Sequence, residues 1–141
     1  MDFKKFFVAG IADSIVIFLL SGLWHQLILT DFYTARTQAL ARTEVDMLWI
    51  TIGIFVLGFL MAYVYPMGYQ GGSSLKEGFR FGAVIGLIWI LPWSLIIHGI
   101  WNYPLDSVIL DAVWHMAEEG VAGIVIALVY GSNSEATESE G

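Results

Sequence analysis

Residues 6–29 read FFVAGIADSIVIFLLSGLWHQLIL, a run of 24 residues in which Asp13 and His25 are the only ionisable side chains. An α-helix rises 1.5 Å per residue, so this run is about 36 Å long and exceeds the ~30 Å hydrocarbon core of a bilayer. A signal peptide is the competing interpretation, but Asp13 interrupts the apolar core and no small-x-small cleavage site follows it. The stretch therefore predicts a membrane-spanning helix.

Three further apolar stretches follow, at about residues 45–65, 75–101 and 105–130. The whole chain of 141 residues is 57% hydrophobic and 13% charged, with a mean hydropathy of +0.72, well outside the range of soluble domains. We predict an all-α protein, an integral membrane four-helix bundle that forms one domain over residues 1–131. Residues 132–141, which contain three glutamates, are predicted to be a disordered acidic tail.

The basic residues indicate how the bundle crosses the membrane. Two pairs, Lys4 with Lys5 and Lys76 with Arg80, fall on one side of the predicted spans, whereas Arg36 and Arg42 fall on the other. Because cytoplasmic loops carry the excess of Lys and Arg, both termini are predicted to be cytoplasmic in a multi-pass protein of the cell membrane. The long outer connection, residues 30–46, contains enough helix formers for a short surface helix.

Several classes of function are excluded or disfavoured by composition. The chain has no cysteine, which excludes disulfides, thiolate catalysis and thiolate metal sites. Its six Lys and Arg residues form no basic patch, so a nucleic-acid partner is not expected. Nucleophile-elbow, phosphate-loop and dinucleotide motifs are missing, which disfavours an enzyme.

Small residues predict where the helices meet. Gly78, Gly82 and Gly86 recur every four residues in the third stretch, and Gly120 and Gly123 give the fourth stretch a similar smooth side. Small residues at this spacing let membrane helices approach closely, within one bundle or between copies. Pro92 lies inside the third stretch and predicts a kink there, because proline removes a backbone donor.

The fourth stretch contains DAVWHMAEEGVAG at residues 111–123, and its polar residues share one face. At 100° per residue, Asp111, His115, Glu118 and Glu119 fall within a wedge of about 100°, roughly opposite the glycine side. Charged groups at this depth are costly unless they are paired or wetted. The wedge must therefore face another helix, a wet cavity or a partner protein.

Histidines on three stretches suggest a ligand site. His25, His98 and His115 all fall in the predicted outer leaflet, where imidazole with Glu118 or Glu119 would suit a transition metal or haem. His98 points about 160° from the glycine side of an ideal helix, so it joins the others only if the kink redirects it. The alternative is that the histidines are ordinary interfacial or core residues.

A proton or ion path is a further alternative for the same polar set. Asp13 in the first stretch would extend a relay that consists of Asp111, His115, Glu118 and Glu119 toward the cytoplasm. Four helices are few for a transporter, and no inverted repeat is visible. Conduction would therefore require oligomerisation through the glycine side.

Four segments of the chain together resemble a known family. They are SGLWHQLILTDFY, LGFLMAYVY, EGFRFGAVIGLIW and DAVWHMAEEGVAGIVIAL, and they carry Trp24-His25, Glu77-Gly78 and Trp114-His115. Over residues 5–130 the chain is similar to small four-helix membrane proteins classified as a domain of unknown function. Position 25 is Tyr in that family's pattern, and Glu118-Glu119 is not part of it. The resemblance implies the fold and carries no activity.

The sequence thus leaves three functional hypotheses. The favoured one is a non-enzymatic accessory or self-associating subunit, in contact with lipid and with copies of itself or a larger membrane complex. The second is a protein that binds a metal, haem or another tetrapyrrole through His115 and His25 with Glu118 or Glu119. The third is the proton or ion path.

Overall fold

The computed structural model describes residues 2–131 and shows five α-helices, with no strand in that range. Helix α1 (Phe3–Gly22) continues into a π-helical turn (Leu23–Ile28), and α2 (Thr30–Thr37) follows at once. The remaining helices are α3 (Met47–Gly68), α4 (Ser74–Ile100) and α5 (Leu105–Gly131). Four helices, α1 with its π-helical turn, α3, α4 and α5, are long and apolar enough to span a membrane. The predicted all-α fold with four apolar helices is confirmed.

The helix boundaries differ from the predicted ones by a few residues at most. The first span begins at Phe3 because Asp2 caps it, its carboxylate accepting the Lys5 N–H at 3.2 Å. The outer connection does contain a short helix, α2, which begins directly after the first span. The predicted tail, residues 132–141, lies outside the described residues.

Among the four long helices, α1 and α5 each make extensive contacts with two others, and α3 also meets α4 and α5. Helix α5 packs most extensively on α4 and also on α1, and α1 packs in turn on α3. Lys5 Nζ donates to the Tyr130 carbonyl at 2.8 Å, and Tyr130 Oη donates to the Ala62 carbonyl at 3.0 Å. These bonds bring the start of α1 together with the ends of α3 and α5. This is the lysine end, which carries Lys4, Lys5 and Lys76, and the opposite end is covered by α2.

Apolar side chains fill the half of the bundle nearest the lysine end. Tyr65 of α3 packs edge-on against Phe81 of α4, with ring centroids 5.1 Å apart, and tilts against Tyr130 of α5 at 5.6 Å. The other buried members are small or aliphatic: Ala9, Ile17, Met61, Ala62, Ala122, Ile126 and Ala127. Most of the buried polar side chains lie instead in the middle and toward the α2 end, while Glu77 is buried at the lysine end and paired with Arg80.

The predicted glycine faces meet within a single chain. A Cβ on Gly82 would collide with the Glu119 carbonyl, and one on Gly86 would collide with the His115 carbonyl. Gly78 lies against the Gly123 backbone in the same way, so α4 and α5 touch backbone to backbone. Gly120 instead faces the Phe79 ring, leaving no room for a Cβ. Helix α4 runs through Pro92 without a break to Ile100.

Candidate functional site

One turn of α5 gathers the candidate ligands. His115 Nδ1 lies 3.0 Å from Glu119 Oε1 and 3.1 Å from Glu118 Oε2. The spacing is a direct result of helix geometry, since residues three and four apart share a face. The contact to Glu119 is a hydrogen bond, whereas the angle to Glu118 does not allow one. One imidazole therefore stands between two carboxylates.

Most of the carboxylate oxygens in this group have no partner. Glu118 and Glu119 are both 0% exposed, and neither oxygen of Glu118 nor Oε2 of Glu119 accepts a hydrogen bond from any described residue. A buried polar atom without a hydrogen bond typically costs about 1–3 kcal/mol, and more when it is charged. These oxygens are therefore arranged at a cost that the fold alone does not repay.

Helices α1 and α4 close the group from the sides. Glu119 Oε2 faces the backbone of Gly86, where a Cβ would come within 3.1 Å of it. Asp13 of α1 lies against Gly58 of α3 and is 0% exposed. Both Asp13 oxygens also lack a hydrogen-bond partner among residues 2–131. The bundle thus buries three acidic side chains, of which Glu118 and Glu119 lie beside His115.

Asp111 lies one turn nearer the α2 end and has a different environment. Its Oδ1 accepts from Tyr33 Oη at 2.5 Å, and its Oδ2 accepts from Tyr103 Oη at 2.8 Å. Tyr33 Oη in turn accepts from Trp24 Nε1 at 3.1 Å. Burial and, after it, the Asp111 carboxylate raise the pKa of the Tyr33 and Tyr103 hydroxyls, so both remain hydrogen-bond donors. Asp111 is therefore a structural anchor for α2.

A cleft of about 820 Å³ opens at the α2 end and reaches His115. His25 and Asp111 also border it, together with Ile90 of α4. The rest of its wall comes from α2 and the residues around it and is mostly polar: Gln26, Thr30, Tyr33, Thr34, Thr37, Gln38, Ala41, Arg42, Thr43, Val45 and Tyr103. The imidazole of His115 thus stands between this cleft and the two buried glutamates.

The three predicted histidines do not form one site. His98 is exposed at the end of α4, and its Nδ1 lies 2.6 Å from the Tyr103 carbonyl, so the Pro92 region does not bring it to His115. His25 borders the same cleft as His115, but its Nδ1 lies 3.0 Å from the Ser21 carbonyl. Among residues 2–131, the one group of three or more ligand side chains within coordinating range is His115, Glu118 and Glu119.

Sequence reasoning missed the aromatic residues that hold the α2 end together. Trp24 and Trp114 stack face to face, with centroids 4.1 Å apart and planes 5° apart. Tyr33 and Tyr103 lie in connections, and nothing in their spacing indicates that they share one aspartate. The one sequence feature that could have indicated the contact between the two tryptophans is that each precedes a histidine, at positions 24–25 and 114–115.

The arrangement suits a small divalent cation. The ligand atoms of His115, Glu118 and Glu119 lie within 4.8 Å of one another. Ligands about 2.0–2.2 Å from a tetrahedral ion are about 3.3–3.6 Å apart, a few tenths of an ångström more than the 3.0 and 3.1 Å separations from His115 Nδ1.

Comparison of the chain with protein-family models, with curated proteins and with solved structures gives no match.

Proposed function

We propose that this protein binds a divalent transition metal ion such as Zn²⁺ inside the membrane, through His115, Glu118 and Glu119. The observation that carries the proposal is the set of unpartnered, buried oxygens on Glu118 and Glu119 beside His115 Nδ1. A cation would satisfy these oxygens and neutralise both carboxylates, which removes the cost of burying them. Imidazole with carboxylate is a ligand set that Zn²⁺ and its neighbours accept.

A small ion fits this group better than a tetrapyrrole does. One oxygen of each glutamate lies within 3.1 Å of His115 Nδ1, and both glutamates are fully buried. A planar macrocycle would need an open face beside the ligand nitrogen, whereas the two glutamates beside His115 Nδ1 are fully buried. His25 is accordingly proposed as a cleft residue that does not coordinate the ion.

The accessory-subunit hypothesis has less support because the chain covers its own polar residues. Glu118, Glu119 and Asp13 are fully buried by α1, α3, α4 and α5 of one copy. The glycine faces are also used within the chain, so they offer no surface for self-association. A partner is not required to account for either feature.

Conduction has less support because the polar set ends inside the bundle. Beyond Asp13, the half nearest the lysine end is filled by Met61, Tyr65, Phe81 and Ile126. A proton or ion path needs polar groups or water across the whole membrane. A cleft that opens at one end only is suited to binding.

The excess of lysine at one end supports an orientation. With Lys4, Lys5 and Lys76 on the cytoplasmic side, the cleft would open to the outside of the cell membrane. The ion would then enter past α2 and His115.

Metal binding by the purified protein in detergent tests the proposal. Metal-free protein equilibrated with Co²⁺ or Zn²⁺ is expected to bind one ion per chain by elemental analysis, with Co²⁺ giving the visible bands of a low-symmetry site. His115→Ala should abolish binding, whereas His98→Ala should leave it unchanged, because His98 lies outside the group. Equal binding by wild type and His115→Ala would overturn the proposal.

A further inference from the structure

A second cavity lies at the lysine end, away from the metal ligands. It is a groove of about 520 Å³ between the start of α1 and the last turns of α5. Lys4, Lys5 and Asp2 stand at its end, and Val8, Val125, Leu128 and Val129 form its walls. Polar and apolar surfaces are thus separated along the groove, with the charges at the helix ends and the apolar walls extending toward the middle of the membrane.

The two lysines have different roles in the groove. Lys5 is anchored, because its Nζ donates to the Tyr130 carbonyl at 2.8 Å and keeps two further N–H groups. Lys4 is exposed and makes no hydrogen bond or ion pair within the described part of the chain. Asp2 is engaged as the helix cap, where its carboxylate accepts the Lys5 backbone N–H. The groove end therefore presents ammonium groups that are available to an anion.

The apolar walls favour a lipid over a soluble anion as the molecule bound in the groove. Val8 is 48% exposed and Leu128 is 52% exposed, although both face a concave surface. An acyl chain would cover them while its phosphate lies beside the lysines. Basic pockets between membrane helices at the cytoplasmic side bind anionic headgroups in this way.

We propose that this groove is a binding site for one anionic phospholipid of the leaflet at the lysine end, with Lys4 and Lys5 holding the phosphate and Val8 and Leu128 contacting an acyl chain. The site is independent of the metal ligands, which lie nearer the other end of the bundle. A lipid bound there would contact both α1 and α5, at the end where the Lys5 hydrogen bond to Tyr130 already joins these helices.

Native mass spectrometry of the full chain, released from micelles that contain equal amounts of phosphatidylglycerol and phosphatidylcholine, tests the proposal. Wild type is expected to retain one phosphatidylglycerol per chain in preference to phosphatidylcholine. Lys4→Gln should reduce that retention about fivefold, the effect expected of one lysine near a phosphate. Glycerol phosphate added in excess should not displace the lipid, because it lacks the acyl chain.

Two further variants make the outcome decisive. Lys76→Gln removes a lysine at the same end but outside the groove, and it should leave retention unchanged. Val8→Trp fills the groove without changing charge, and it should also reduce retention. Equal retention of the two lipids by wild type would overturn the proposal, as would loss of preference in Lys76→Gln to the same degree as in Lys4→Gln. Displacement by glycerol phosphate would show that the groove is a soluble-anion site instead.

Discussion

Glu118 is a buried acidic residue whose surroundings leave its oxygens without hydrogen bonds. Its side chain is fully buried, its nearest basic atom is His115 Nδ1 at 3.1 Å, and neither oxygen makes a hydrogen bond with a described residue. Burying a charged group without full compensation is unfavourable, so the fold would be at least as stable with a neutral side chain there. Such local conflicts are characteristic of functional positions.

Replacing Glu118 by Gln is predicted to weaken metal binding without lowering the stability of the metal-free fold. The metal-free variant should unfold at the same Tm as wild type or a higher one, because a buried charge is removed while side-chain volume is kept. Its affinity for Co²⁺ or Zn²⁺ should fall at least tenfold, because an amide is a weaker ligand than a carboxylate. Thermal unfolding with and without metal measures both quantities. A variant that is less stable without metal and binds it normally would contradict the role given to Glu118.

Glu77 provides a matched control for that change. It is also buried, but its carboxylate is satisfied by Arg80, at 2.7 and 3.1 Å, and by the Gln70 backbone N–H at 2.9 Å. Glu77→Gln should therefore lower Tm and leave metal affinity unchanged, the reverse of the Glu118 pattern.

Helix α2 is held over the cleft by side chains of its neighbours. Tyr33 donates to Asp111, and Arg36 pairs with Asp106 of α5 at 2.8 Å. Because the Arg36–Asp106 pair is exposed to solvent, it contributes little to stability. The buried Tyr33 bond is the stronger anchor, because breaking it leaves a buried carboxylate oxygen without a donor.

Alkaline pH is predicted to release α2. Burial and Asp111 raise the pKa of Tyr33 and Tyr103 above the ordinary value of 10.0. The stabilisation from these hydroxyls is therefore fully present below about pH 10 and is lost as pH rises through their higher folded-state pKa values. Proteolysis within residues 30–46 should increase above pH 10, and Tyr33→Phe should show raised cleavage already at pH 8. Unchanged cleavage of Tyr33→Phe at pH 8 would show that this bond does not anchor α2.

The contact between α4 and α5 is predicted to be intolerant of a single methyl group. Gly82→Ala forces a Cβ against the Glu119 carbonyl, which is backbone and cannot move aside. We therefore expect the free energy of unfolding to fall by about 1–3 kcal/mol or more. Gly99→Ala in the same helix meets no atom within 4 Å and should change stability by at most about 0.5 kcal/mol. Thermal unfolding in detergent compares the two variants. Equal effects would mean that the backbone contact is absent in solution.

In residues 2–131, four long apolar helices enclose a polar set in the middle and toward the α2 end, and apolar side chains fill most of the half at the lysine end. Helix α5 belongs to both halves, because it carries the candidate ligands in its middle and Ile126 and Ala127 of the apolar core nearer its end. The polar set is therefore complete within one chain and closed at one end. Metal binding should accordingly require neither a second copy nor passage across the membrane.

Two measurements on the intact protein test this arrangement. The number of ions bound per chain should stay at one when the detergent-solubilised protein is diluted to a monomer, as judged by light scattering. Proteoliposomes with a pH-sensitive dye inside should show no more proton flux than empty liposomes. Metal binding that disappears on dilution would indicate a site shared between copies, and flux abolished by Glu118→Gln would indicate a path.

The polar residues differ in how far the sequence predicted their surroundings. His115, Glu118 and Glu119 are three and four residues apart, so any regular helix places them on one face, and their grouping followed from the sequence. The glycine faces also predicted a close contact, because small residues permit one. The separation of His98 from the site and the engagement of Asp111 by two tyrosines did not follow. Both depend on how α4, α2 and the connection at Tyr103 rotate and pack, which residue spacing along a helix does not specify.

The sequence by itself determined the four apolar helices, the absence of thiol chemistry and the single turn of α5 that carries three candidate ligands. These features depend on hydropathy, composition and the fixed rise and rotation of a helix, all of which are local. Only the tertiary structure decided that α4 lies backbone to backbone on α5, that Asp13 of α1 is buried near Glu119, and that α2 covers one end of the cleft. Those outcomes depend on contacts between residues far apart in the chain, where side-chain shape and the need to satisfy buried polar atoms select one arrangement among many.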